Sequence, residues 1–146
     1  MKKIICLLLT VIIALSALVG CQPTNVNGHA TVVVGESEFS VDLDKVEITD
    51  GVFSVLEYLK NEGELDYTAQ ESTYGAYLTK VGEIEENMLE GKYVGIWTSV
   101  EADFDVSAYA STKEYKGMTL TSSGVGVSQM TITDGAVILF DYISYE

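Results

Sequence analysis

The chain has 146 residues and carries 22 acidic side chains against eight lysines, with no arginine, for a formal charge of −14. That balance excludes nucleic acid and anionic headgroups as partners, since both need clustered cations. The missing guanidinium also removes bidentate recognition of phosphate.

Lys2 and Lys3 precede an apolar run from Ile4 to Val19, and Leu18-Val19-Gly20-Cys21 closes it. A charged start, a short apolar stretch and small residues before a cut describe a secretory signal. The cysteine directly after the cut adds lipid chemistry, because its thiol can take a diacylglyceryl group. The expected reading is a lipoprotein signal over 1–20 and lipidation at Cys21. The run is short of the roughly 20 residues that cross a bilayer, which disfavours an uncleaved transmembrane helix. Cys6 lies inside the discarded part. Removal of 1–20 would leave 126 residues, in which six lysines face 22 acids at a formal charge of −16. The expected location is extracytoplasmic, on a lipid-anchored surface of Gram-positive type. Cys21 would be the only cysteine left, so packing rather than a disulfide must hold the domain.

Residues 21–29 read as the lipidated cysteine and a flexible polar tether, and 30–146 as one domain with its own core. Ala30 to Val34 is β-branched, and Phe39, Val41 and Leu43 alternate with polar residues beyond Gly35-Glu36-Ser37, which predicts a hairpin. Thr49 or Asp50 can cap a helix whose apolar face is Val52, Val55, Leu56 and Leu59, ending at Asn61 to Gly63. Leu65, Tyr67 and Ala69 alternate, and Tyr74 to Val81 is strand-prone around Gly75. Gly82 to Gly91 is turn-rich; its Glu83, Glu85 and Glu86 suit an exposed turn. Tyr93 to Val100 has Val94, Ile96 and Val100 on one face and Tyr93 and Trp97 on the other, which predicts a central strand covered on both sides. Thr131 to Thr133 and Ala136 to Ile143 flank Asp134-Gly135, a hairpin dipeptide. The predicted class is α+β and β-grasp-like: an N-terminal β-hairpin, then one amphipathic helix packed on a mostly antiparallel sheet.

Several of these elements together resemble a known family. Val55-Leu56 with Tyr58-Leu59, Tyr74-Gly75-Ala76-Tyr77-Leu78-Thr79-Lys80-Val81-Gly82, Gly95-Ile96-Trp97-Thr98-Ser99, Gly124-Val125-Gly126-Val127 and the stretch from Thr131 to Tyr142 occur in the order found in the transcobalamin-like C-terminal domain. The resemblance spans about residues 40 to 143. It implies a β-grasp-like binding domain whose animal relatives form one lid of a clamp around cobalamin. Those carriers close the clamp with a larger helical domain for which this chain has no room. Glu101 to Ser123, with Tyr109, Tyr115 and Met118, is longer than the animal connection and reads as a lid or an adhesive tip.

The resemblance places Tyr74, Tyr77 and Trp97 near the ligand-facing side, and Tyr109 and Val125 complete the candidate ligand set. Flat rings suit a large, partly apolar ring system, with a cobalamin or another corrinoid as the expected ligand rather than a cofactor. The plainer reading makes the same aromatics core residues. Glu101, Asp103 and Asp105 begin like a calcium loop, but no glycine stands at its sixth position and Thr112 holds the twelfth, so no metal site is expected. His29 is the only histidine and lies in the tether, and no nucleophile motif occurs, so no enzyme is expected. The alternative to small-molecule binding is a surface protein-interaction or adhesion module.

Overall fold

The computed structural model describes residues 24–144. The expected signal over 1–20 and Cys21 lie outside them. Thr24 to Gly28, expected as spacer, run along the domain: the Thr24 amide donates to the Ile48 carbonyl (3.0 Å), the Gly28 carbonyl accepts from Leu43 N (2.8 Å), and Val26 packs on the core.

Strands β1 (His29–Val34) and β2 (Ser37–Asp42) form the predicted hairpin, with Val34 opposite Ser37. Helix α1 (Gly51–Asn61) follows. Its start is not capped by the Asp50 side chain. Instead Ser54 Oγ, inside the first turn, accepts from the amides of both Thr49 (3.1 Å) and Asp50 (2.8 Å), so the orphan donors before the helix are satisfied from within it. Gly51 opens the helix at φ +54°, and a Cβ there would lie 2.6–2.9 Å from the carbonyl oxygens of Met130, Val127 and Ser128. Only glycine lets this loop cross the helix start so closely.

Next come β3 (Tyr67–Ser72), β4 (Gly75–Val81) and the short β5 (Ile84–Glu85), which form a three-stranded antiparallel sheet in that order. Leu65, predicted within a strand, precedes β3 as a buried core residue. Strands β6 (Lys92–Thr98), β7 (Thr112–Tyr115), β8 (Met118–Ser122) and β9 (Val137–Ser144) join β1 and β2 in a six-stranded sheet of order β2-β1-β9-β6-β8-β7. Its one parallel pair joins β1 to β9, first strand to last, beside an N-terminal hairpin and under a helix. The predicted α+β, β-grasp-like arrangement is the one observed, with a mixed larger sheet.

The predicted closing hairpin at Asp134-Gly135 does not form. Thr131 to Thr133 are irregular, and β9 pairs with β1 and β6 instead. The β-branched run is held elsewhere: the buried Asp103 carboxylate accepts from Thr131 N (2.7 Å) and Thr131 Oγ1 (3.2 Å). The Asp-Gly turn is real, but it grips the start of β1, with Asp134 Oδ1 accepting from His29 N and Gly135 N donating to His29 O.

The core lies on both sides of the larger sheet. On one side Val52, Val55, Leu56 and Leu59 of α1 are almost fully buried against Val32, Val34, Ile138 and Phe140, with Leu78, Val81 and Ile84 of the smaller sheet in the same cluster. Each such side chain contributes about 1.5–3 kcal/mol. On the other side Trp97, Val33, Val137, Leu139 and Leu120 form a second cluster. Central strands therefore carry apolar residues on both faces. The cover on the second side is the β7–β8 hairpin. The sheet curls until the β7–β8 turn meets the opposite edge strand: Lys116 Nζ in that turn lies 2.6 Å from Glu38 Oε2 on β2, and Lys113 on β7 pairs with Asp141 on β9. The 101–123 segment is thus largely sheet and core cover.

Candidate functional site

Two open concavities flank the smaller sheet. The first is a trough of about 670 Å³ over β4, β5 and the start of β6, lined by Tyr77, Met88, Leu89 and Tyr93 with the polar Gln70 and Lys80 among its walls. Alternation in β4 fixes its inner wall: Leu78 faces the core while Tyr77 and Thr79 face out. The outer wall is a 3-10 turn, Met88–Glu90. Asn87 caps it by accepting from Glu90 N, and Gly91 ends it in a left-handed conformation. That turn presents Met88 (72% exposed) and Leu89 (100% exposed) to solvent inside an acidic stretch. The exposed pair stands across the trough from the Tyr77 and Tyr93 rings.

Polar groups fix the trough walls. Tyr77 Oη donates to Glu86 Oε2 (3.3 Å), and Lys80 pairs with Glu85 (3.6 Å). Tyr142 on β9 ties the two sheets together, its hydroxyl accepting from Glu85 N and donating to the Glu83 carbonyl. The trough volume falls within the range of small-molecule sites, and its aromatic and thioether lining suits an apolar, polarisable face.

The second concavity, about 720 Å³, runs between α1 and β3, with Phe53 and Tyr67 meeting edge to face at 5.2 Å along its floor. Lys60 crosses it, bonded to Asp66 Oδ1 (2.8 Å) and to the Tyr67 carbonyl (3.0 Å), and lying 4.6 Å from the Tyr67 ring. Its bond to Asp66 raises the Lys60 ammonium above its ordinary value and lowers the Asp66 carboxyl.

The sequence-derived candidates do not converge. Tyr77 lines the trough. Tyr74 is 75% exposed in the β3–β4 turn, outside both concavities and next to Gly126. Trp97 is 2% exposed, its Nε1 donating to Ser111 Oγ (3.1 Å) and its ring under Lys113 Nζ (4.6 Å), so it is core. Tyr109, 88% exposed, shares with Trp97 only a small cavity of about 220 Å³. Val125 is half-buried on the main core. Sequence reasoning missed Met88, Leu89 and Tyr93 as lining residues; the available signal was an apolar pair inside a run of glutamates. Among the described residues no three His, Cys, Asp or Glu side chains group as a metal site would require. Asp103 points inward to Thr131, while Asp105 accepts from Ser107 N, which lowers its carboxyl.

No family model and no curated protein matches the chain. Solved structures do. One, a protein of Ruminococcus gnavus ATCC 29149 provisionally described as metal-binding, aligns at a TM-score of 0.51 with 17% identity, over 82% of this chain and 100% of that one. Haptocorrin in complex with Cbi aligns at a TM-score of 0.54 with 14% identity, over 84% of this chain and 26% of haptocorrin. At these identities the likeness is one of fold. The transcobalamin-like resemblance is met at that level, and this chain spans about a quarter of haptocorrin.

Proposed function

We propose that this protein is a non-catalytic, extracytoplasmic, lipid-anchored binding protein that holds a small molecule with a large flat ring, most concretely a corrinoid, against the Tyr77–Tyr93 trough. The observation that carries the reading is the exposed wall of Met88 and Leu89 facing two tyrosines on a fold shared with the Cbi-bound haptocorrin. A trough of this size contacts one face of a corrinoid, and the other face is left to solvent or to a partner. Anchorage at Cys21 would place this shallow site next to the membrane. Mass spectrometry of the N-terminal peptide from cells is expected to find a diacylglyceryl thioether on Cys21; an unmodified thiol overturns the anchor.

The binding test is calorimetric titration of the purified protein with cobinamide and cobalamin. Trp97 is buried in the second core cluster and lines no part of the trough, so heat and corrinoid absorbance are better reporters than its fluorescence. Saturable micromolar binding, weakened about tenfold by Tyr77→Ala, is the expected outcome, since one buried ring contributes on the order of 1–2 kcal/mol. Flat titrations into the millimolar range overturn it and leave the interaction-module reading.

A further inference from the structure

The outer edge of β3 has no strand paired to it among the described residues, because β3 ends the smaller sheet. Across the groove stands α1, and the floor between them is apolar at Phe53, Tyr67 and Ala69. Thr68, Gln70, Glu71 and Ser72 of β3 are exposed while Tyr67 and Ala69 are half-buried toward the core, so its backbone edge is reachable along most of its length. An open edge beside an apolar groove can accept an extended segment, whose main chain adds to the sheet while alternate side chains enter the groove.

Charge selects the occupant. Asp50, Asp66 and Glu71 line or adjoin the groove, and Glu57 lies close enough to Tyr67 to reinforce the upward push that burial gives its hydroxyl. The one cation there, Lys60, is already committed to Asp66 and to the Tyr67 carbonyl. Elsewhere too, each of the six lysines among the described residues sits in an ion pair, so the acids in excess have no lysine left to neutralise them. A second copy pairing edge to edge would bring Asp66 and Glu71 of two chains of charge −14 together, which repels.

We propose that the β3 edge and the α1–β3 groove form a docking strip for an extended protein segment in which lysine or arginine alternates with small apolar residues, added as a fourth strand to the smaller sheet. The strip and the Tyr77 trough share Thr68 and Gln70, whereas Glu71 lines only the strip and Tyr77 only the trough; docking on the strip does not depend on a ligand in the trough.

The probe is a blocked hexapeptide of alternating lysine and valine, titrated into the purified protein while amide hydrogen exchange is read residue by residue. Expected are saturable binding, slowed exchange over 67–72, and weakening by about fivefold to tenfold in Glu71→Lys, the scale of reversing a rim charge. Glu114→Lys makes the same charge change on β7 and is expected to alter binding less than about twofold, the residue of long-range attraction left after screening. Absence of binding, equal weakening by both variants, equal binding of a glutamate–valine peptide, or binding without protection of β3 would each overturn the proposal. Corrinoid titration of Glu71→Lys separates the two sites: unchanged corrinoid binding leaves the trough intact whatever the strip does.

Discussion

Gly95 decides how Trp97 can be buried. The two residues share a face of β6, and the indole folds back over the glycine: a Cβ at Gly95 would lie 2.5 Å from Trp97 Cη2, 2.7 Å from Cζ3 and 3.0 Å from Ile143 Cβ. The Gly-Ile-Trp spacing is therefore a packing device, and the presence of tryptophan in that strand does not make it a ligand contact. Gly95→Ala should force the ring off its site, costing roughly 1–3 kcal/mol as overpacking does. Chemical denaturation should register the loss, together with a red shift in the emission of the only tryptophan. Unchanged emission would show that the ring does not rest on the glycine.

The β7–β8 hairpin shows what ion pairs can do at the scale of one element. It covers the Trp97 cluster, and its tip is joined to β2 by Lys116 and Glu38. The bond from Lys116, with Tyr115 beside it, holds the Glu38 carboxyl below its ordinary value of 4.5. A carboxyl depressed in the folded state stabilises above its unfolded value, and that contribution disappears as pH falls through the folded one. Docking of the hairpin should thus weaken below about pH 4.5, with Trp97 emission shifting in the same range. In Glu38→Gln this part of the acid transition should be absent; an unchanged transition would mean that the pair does not hold the hairpin. Elements of this size were unevenly legible in the sequence. The α1 face and the β1–β2 hairpin were readable because Val52, Val55, Leu56 and Leu59, and Phe39 and Val41, repeat at local periods. The fate of Thr131 to Thr133 was not, because Asp103 captures Thr131 from 28 residues away. Asp134-Gly135 signalled a turn correctly, but a dipeptide says nothing about which strands its flanks will meet. Met88 and Leu89 were hidden for a related reason: periodicity finds residues that face the core, and these two face solvent.

Across the whole molecule, charge and topology pull in different directions. Twenty-two acids against eight lysines make the folded state repel itself. The six ion pairs of the described residues use only part of the acidic set, so added salt should screen more repulsion than attraction. Between 0.01 M and 0.1 M sodium chloride, as the screening length falls from about 30 to about 10 Å, the thermal midpoint should rise by a few degrees. Scanning calorimetry checks this, and a falling midpoint would mean that the pairs outweigh the excess charge. The parallel pairing of β1 with β9 has a different kind of consequence, in time rather than in energy. β9 stands between β1 and β6, so during synthesis the hairpin at one end and the β6–β8 strands at the other have no neighbour to join them until the last strand has been made. Long-range closure of that kind is slow. A nascent chain missing β9 cannot close the larger sheet, so the order of synthesis itself sets when this half of the domain becomes whole.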